Sequence, residues 1–175
     1  KAPNGDVLDI KGDQLSLKSA LGGKISIVSF VYLSCGDTEG CPLAISTLFE
    51  LFHKSEGLED LNKFAQLVTI SFDPARDTVG AIEAFSVPIM ADIGADRKIR
   101  WSVFTTKSSE NLEPILDGYG QMITHKRNSN IINHLLRIYL VDSRGYIRNI
   151  YGLGTIDPRL LVTDIETLLI EEGKR

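Results

Sequence analysis

Two short stretches near the N-terminus, Val7–Ile10 and Gln14–Leu17, alternate apolar and polar positions around the polar turn Lys11-Gly-Asp13. A period of two on both sides of a turn predicts a β-hairpin. The pattern then changes: Ile25–Leu33 is an almost unbroken apolar run, rich in β-branched and aromatic residues, and predicts a strand buried on both faces. Leu67–Phe72 and Leu135–Val141 predict two more such strands, and Ile99–Phe104 a shorter one. Elsewhere the apolar period lengthens to that of a helix. Ile45, Leu48, Phe49 and Phe52 share one face of a helix starting at Pro42 and ending near Gly57. Val79, Ile82 and Phe85 mark another helix. Ser108–Tyr119 also has helical character, with Pro114 expected to interrupt or restart it. Asp142-Ser-Arg-Gly145 turns the Leu135–Val141 strand into Tyr146–Tyr151 as a second hairpin. The last helix begins with Asp157 as N-cap and Pro158 in the first turn, and carries Leu161, Ile165, Leu168 and Leu169 on one face. This order of elements predicts an α/β fold with a central mixed sheet covered on both faces.

Composition narrows the picture only a little. A chain of 175 residues, 43% hydrophobic and 24% charged, is ordinary for a globular protein and is most simply one domain, residues 1–175. Repeats and linker-like tracts are lacking. The net charge is −4, and Lys and Arg are scattered along the sequence rather than gathered in a stripe, so nucleic acid is not an expected partner. The longest apolar run is broken by Ser26 and Ser29, far short of the ~20 residues of a membrane span. Because the sequence starts at Lys1, a targeting or anchoring segment removed from upstream is compatible with it.

Candidate chemistry concentrates in "SCGDTEGCPL", residues 34–43, which holds both cysteines of the chain, Cys35 and Cys41. This stretch joins a strand to a helix, a corner where binding and catalytic groups tend to sit. Cys41 lies immediately before the predicted helix start, where unpaired amides and the helix dipole favour an anion and ease thiol ionisation. Gly36 and Gly40 let the loop fold tightly. The residues alone leave four readings open: a disulfide staple, a redox dithiol, a zinc corner, or a soft-metal site. Zinc would need a carboxylate such as Asp37 or Glu39 to complete four ligands. Two thiolates and an imidazole suit Cu(I) better. Of the three histidines, His53 lies on the polar side of the first long helix and His125 in the polar loop Thr124–Asn128. His134 stands at the mouth of a strong strand, as a structural residue or as a ligand. Asp73, Arg76, Asp77 and Thr78 are expected to build a turn and cap the next helix, and Trp101 to be core.

Taken together, these stretches resemble the SCO/SenC family, thioredoxin-like proteins of copper delivery and cytochrome c oxidase assembly. The strand "IVSFVYLSC" leads to a cysteine pair ending in Cys-Pro, and "SFDPARDT" (Ser71–Thr78) is similar to the family's S-x-D-P-x-R-D-T segment. Arg100–Gly120 resembles its W-x-F-L-T-G segment and the following helix, and "NHLLRIYLVDSRGYIRNIYG" (Asn133–Gly152) its histidine-strand-hairpin. The resemblance implies a thioredoxin-like fold with an N-terminal β-hairpin, and copper, as Cu(I) or Cu(II), held by Cys35, Cys41 and His134. It further implies a client such as a respiratory oxidase subunit, and an extracytoplasmic, membrane-anchored setting. The chain departs from the family in one respect: C-x5-C-P replaces C-x3-C-P, and Leu43 stands where an acidic residue often follows.

Two rival functions share the scaffold. A thiol–disulfide oxidoreductase would use Cys35 and Cys41 as a redox dithiol, although no proline precedes the Leu135–Val141 strand and His134 takes that place. A peroxiredoxin-like peroxidase fits less well, since Pro42 follows Cys41 directly. A non-enzymatic interaction module would keep the two cysteines only as a staple. The expected role is that of a metallochaperone with thiol chemistry rather than an enzyme with turnover.

Overall fold

The N-terminal alternation folds as a hairpin: β1 (Asp6–Leu8) pairs antiparallel with β2 (Gln14–Ser16), Val7 opposite Leu15. A short helix not foreseen from the pattern, α1 (Leu17–Leu21), follows at once, capped by the Ser16 hydroxyl, which accepts from the Ser19 amide. The structure is a computed structural model and describes residues 1–33, 41–92, 94–125 and 132–174.

The central strand is β3 (Ile25–Val31), buried at every position. It lies between β4 (Ala65–Ser71), parallel to it, and β8 (Arg137–Val141), antiparallel. β5 (Arg100–Phe104) extends the sheet beyond β4, and β9 (Ile147–Gly152) beyond β8, giving the order β5-β4-β3-β8-β9. The sheet is mixed, as expected.

Successive side chains of a strand point to opposite faces, and the core divides accordingly. Ile25, Ile27, Leu67, Ile138 and Leu140 pack with α2 (Cys41–Lys54), α4 (Val79–Met90) and α6 (Pro158–Glu171), through Leu48, Phe52, Ile82, Leu161 and Ile165. Val28, Phe30, Val68, Ile70, Tyr139 and Val141 pack on the other face with α1 and α5 (Ser109–Tyr119). Helices on both faces explain why β3 and β4 read as continuous apolar runs rather than as alternation.

Three expectations need correction. Pro114 neither interrupts nor restarts its helix: α5 runs unbroken through it. The missing amide costs one hydrogen bond, about 3 kcal/mol in a helix interior. Burial of Leu112, Ile115, Leu116 and Tyr119 on the opposite face outweighs this at roughly 1.5–3 kcal/mol per side chain. The residues before β8 also form a separate hairpin, β6 (Ile123–His125) with β7 (Ile132–His134). His125 is therefore in a strand, paired with Ile132, rather than in a loop, and His134 ends β7 instead of opening β8. A further helix, α3 (Glu59–Phe64), lies before β4.

Candidate metal centre

Parallel strands β3 and β4 end side by side, the position where open α/β sheets gather functional groups. Beyond β3 come Tyr32 and Leu33, and the chain is next described at Cys41, the first residue of α2. Cys35 lies outside the described residues, as do Gly36, Asp37, Thr38, Glu39 and Gly40, and so does the side chain of Cys41.

The run leading to the cysteines is held by the segment after β4. The Leu33 amide donates to Asp77 Oδ2 at 3.0 Å, and the Ser71 hydroxyl donates to the same oxygen at 2.5 Å. Asp77 in turn donates its amide to the Asp73 carbonyl at 2.8 Å, and the Asp73 amide donates to Ser71 Oγ at 3.0 Å. Arg76 pairs with the Asp73 carboxylate and lies 5.6 Å from the Tyr32 ring centroid. Burial pushes the Asp77 carboxyl above its ordinary range, against the lowering effect of the Ser71 and Leu33 hydrogen bonds. The expected turn is present, but the capping role is not. Thr78 occupies the N-cap of α4 without a side-chain cap bond, and Asp77 serves as a strut to the β3 exit.

His134 arrives from the far side of the sequence. Its position in β7 is opposite Ile123 of β6. The imidazole packs against Phe72, ring centroids 4.7 Å apart, and edge-on to Tyr32 at 6.0 Å. Tyr32 and Phe72 immediately follow β3 and β4 and are themselves in contact, ring centroids 5.0 Å apart. The ring therefore stands over the ends of the two central strands, with Tyr32 three residues before Cys35. Nδ1 lies 3.1 Å from the Ile132 carbonyl oxygen. A carbonyl can only accept, so Nδ1 is the donor of this bond, which in the neutral ring leaves the lone pair on Nε2. Hydrogen bonding of one ring nitrogen to a backbone carbonyl is a common orienting arrangement for a metal-ligating histidine.

The base of the β6–β7 hairpin is fastened by a buried polar clasp. Gln121 Nε2 donates to the Leu135 carbonyl at 2.6 Å. The Tyr139 hydroxyl is shared between the Tyr119 carbonyl at 2.9 Å and Gln121 Oε1 at 3.1 Å. Arg137 adds a bond to the Gly120 carbonyl at 2.7 Å. These contacts tie the end of α5 to the chain on the far side of His134. Burial raises the pKa of both Tyr119 and Tyr139, so both phenols stay neutral at physiological pH.

The remaining candidates sit apart from this corner in their contacts. His53 is largely exposed, 3.5 Å from Asp92 and against Phe49 and Phe52, as expected of a helix-surface histidine. Trp101 is buried and donates from its indole nitrogen to Thr69. Among the described residues no three His, Cys, Asp or Glu side chains gather into a metal-binding group, and no helix is long and apolar enough to cross a membrane. Sequence reasoning missed the Asp77 strut, the Phe72–Tyr32 bracket and the Gln121 clasp. The first two lay within motifs already singled out. Gln121, a lone glutamine after a helix-ending glycine, gave no signal.

Comparison with known proteins bears on this arrangement. The SCO1/SenC family model matches residues 6–170. A SCO1/SenC family lipoprotein from Bacillus anthracis is 20% identical over 94% of this chain and 92% of its own, with a TM-score of 0.75. Arabidopsis thaliana ScoI, solved with copper bound, is 16% identical over 98% of this chain and 99% of its own, with a TM-score of 0.72. BsSco, described as a member of the Sco family of cytochrome c oxidase assembly proteins with a disulfide switch, is 18% identical over 96% and 92%, with a TM-score of 0.72. The fold is the thioredoxin-like one these structures share. No curated protein gives a significant sequence match.

Proposed function

The chain belongs to the SCO1/SenC family, and from that membership we propose that it is a copper metallochaperone whose cargo is held by the thiolates of Cys35 and Cys41 and the imidazole of His134. The observation that carries this reading is the packing of His134 against Tyr32 and Phe72, at the end of the strand that leads to Cys35. An imidazole whose Nδ1 is engaged by a backbone carbonyl offers its lone pair at Nε2, and two thiolates with one neutral imidazole form a donor set that selects Cu(I). Copper bound to that set carries one net negative charge, which the N-terminus of the 14-residue helix α2 helps offset. Relatives solved with copper bound and one described as an oxidase assembly protein support copper as the cargo and a respiratory oxidase subunit as the client. The B. anthracis relative, described as a lipoprotein, supports an extracytoplasmic, membrane-anchored setting.

The residues' part in the chemistry is positional. Asp77 fixes where the cysteine loop departs from β3, and Gln121 and Phe72 fix the imidazole. Thiolate donors exchange one at a time with those of a client, so cargo can pass without being released to water. A competition titration with a Cu(I) chelator tests the reading. The reduced parent should take one Cu(I), and His134→Ala should bind at least tenfold more weakly. Equal affinity in the two proteins overturns the three-ligand site.

Cys41 at the first position of α2 favours a second reading, thiol–disulfide exchange with the client. Alkylation followed against pH should then reveal one thiol reacting well below the usual thiol range; two ordinary thiols would exclude it.

A further inference from the structure

We propose that the end of the sheet opposite the metal corner is a docking face for an anionic phospholipid surface. Four basic residues from three separate parts of the sequence, Lys1, Lys18 with Lys24, and Arg144, line one shallow concavity of about 210 Å³ between the N-terminal segment, the end of α1 and the β8–β9 turn. The chain as a whole carries a charge of −4, so this convergence runs against its overall sign. Among the described residues, none of the ammonium groups of Lys1, Lys18 and Lys24 has a carboxylate within 4.0 Å. Arg144 is shared between Asp142 and Glu171. Asp142 is buried and also engaged by Arg148, leaving the concavity net cationic.

The backbone around the cluster is fixed. The Ala2 amide donates to the Gly145 carbonyl at 2.7 Å, the Lys18 amide to Asn4 Oδ1 at 2.8 Å, and the Lys24 amide to the Leu21 carbonyl at 3.1 Å. Beside it Tyr146 is exposed, with Lys1 Nζ 5.4 Å from its ring. An exposed tyrosine next to cations is the side-chain pair that settles at a membrane–water interface. Cations spread around a shallow opening meet a layer of headgroups better than they enclose one small anion. Lys24 immediately precedes β3, whose far end leads to the cysteines. Seven residues at about 3.3 Å each span roughly 20 Å. Docking by this pole therefore holds the metal corner well clear of the headgroups and open to a client.

Each cation near an anionic surface strengthens partition by about fivefold, within a Debye length. The test is co-sedimentation with vesicles of phosphatidylglycerol and phosphatidylcholine, against vesicles of phosphatidylcholine alone, across a salt series. The parent should bind only the anionic vesicles and release as salt rises. Lys18→Gln with Lys24→Gln should lower partition by about 30-fold, and adding Arg144→Gln by about 150-fold. The lysine pair alone answers the question if Arg144→Gln disturbs its turn. Equal binding to both vesicle types, unchanged partition in the lysine pair, or binding of inorganic phosphate without vesicle binding would each overturn the proposal. The Cu(I) titration of the lysine variants should match the parent, so the docking face and the copper reading fail independently.

Discussion

The imidazole of His134 lies against the phenyl ring of Phe72, centroids 4.7 Å apart and planes tilted by 49°. That contact joins two segments sixty-two residues apart in sequence and sets the direction from which the imidazole faces the end of β3. Phe72 is 1% exposed, so it is both a core residue and a wall for the histidine.

Phe72→Leu separates those roles. It keeps the site apolar and removes the flat surface behind the ring. A volume-reducing hydrophobic swap of this kind costs about 1–1.5 kcal/mol, so the variant should remain folded, with a modestly lower Tm. The part of the ring-current shift that Phe72 imposes on the His134 protons should disappear from the NMR spectrum while that of Tyr32 remains, and Cu(I) affinity should fall several-fold. A variant with parental affinity would show that the bracket does not orient the ligand.

Asp77 makes a prediction about pH. Burial holds its carboxyl above the ordinary 3.8, so the folded chain keeps this proton at pH values where the unfolded chain has lost it. The stabilising contribution is full below 3.8 and is lost as pH rises through the folded-state pKa. Asp77→Asn, with no proton to lose, should lack that step. The difference in chemical-denaturation stability between variant and parent should therefore change in the variant's favour as pH rises from about 4. Asp77→Ala tests the strut itself. Leaving the Leu33 amide and Ser71 hydroxyl without their acceptor should cost about 2 kcal/mol near pH 4, and less as pH rises and the parent loses its own Asp77-linked stability. A pH-independent difference between parent and Asp77→Asn would exclude the raised carboxyl.

Gln121→Leu removes the clasp beneath His134. The Leu135 carbonyl loses its donor and the Tyr139 hydroxyl one of its two acceptors, for about 1–3 kcal/mol. The loss should be local. Amide exchange in the β6–β7 ladder should speed up while β3 and β4 stay protected, and Cu(I) affinity should fall with thiol alkylation rates unchanged. Uniform loss of protection across β3 and β4 would make Gln121 a general core residue instead of a support for the hairpin.

The middle of the sheet could be derived from sequence because β3 and β4 are buried on both faces. Ile25–Val31 and Ala65–Ser71 have no polar side to blur the pattern, and α6 announced its own start through Asp157 and Pro158. What could not be derived depends on contacts between distant residues. β6 and β7 are three residues each, too short for any period to emerge, and are held by a clasp whose members lie in α5, β8 and the segments between. Asp77 read as a capping residue because local chemistry favours that role, yet a residue forty-four positions earlier claimed its carboxylate. The four cations of the docking face are scattered in sequence and meet only because α1 and the β8–β9 turn end at the same pole.

The start of α6 provides a final quantitative check. Asp157 accepts from the Arg159 amide at 2.9 Å and from its guanidinium at 2.8 Å. The Arg159 side chain, followed by its amide, holds the carboxyl down to about 2 from an ordinary 3.8. The folded state thus favours the ionised form. The resulting stability is present above 3.8 and is lost as pH falls through about 2. A carboxyl-carbon NMR titration should give a midpoint near 2 in the parent. Arg159→Ala should raise it but leave it below 3.8, because the backbone donor remains while the larger, side-chain contribution is gone. Amides in the first turn of α6 should begin to exchange faster over the same acid range. Leu161 and Ile165, buried against the sheet, should hold the rest of the helix in place. A parental midpoint at the ordinary value would mean that the cap and its arginine are not formed in solution.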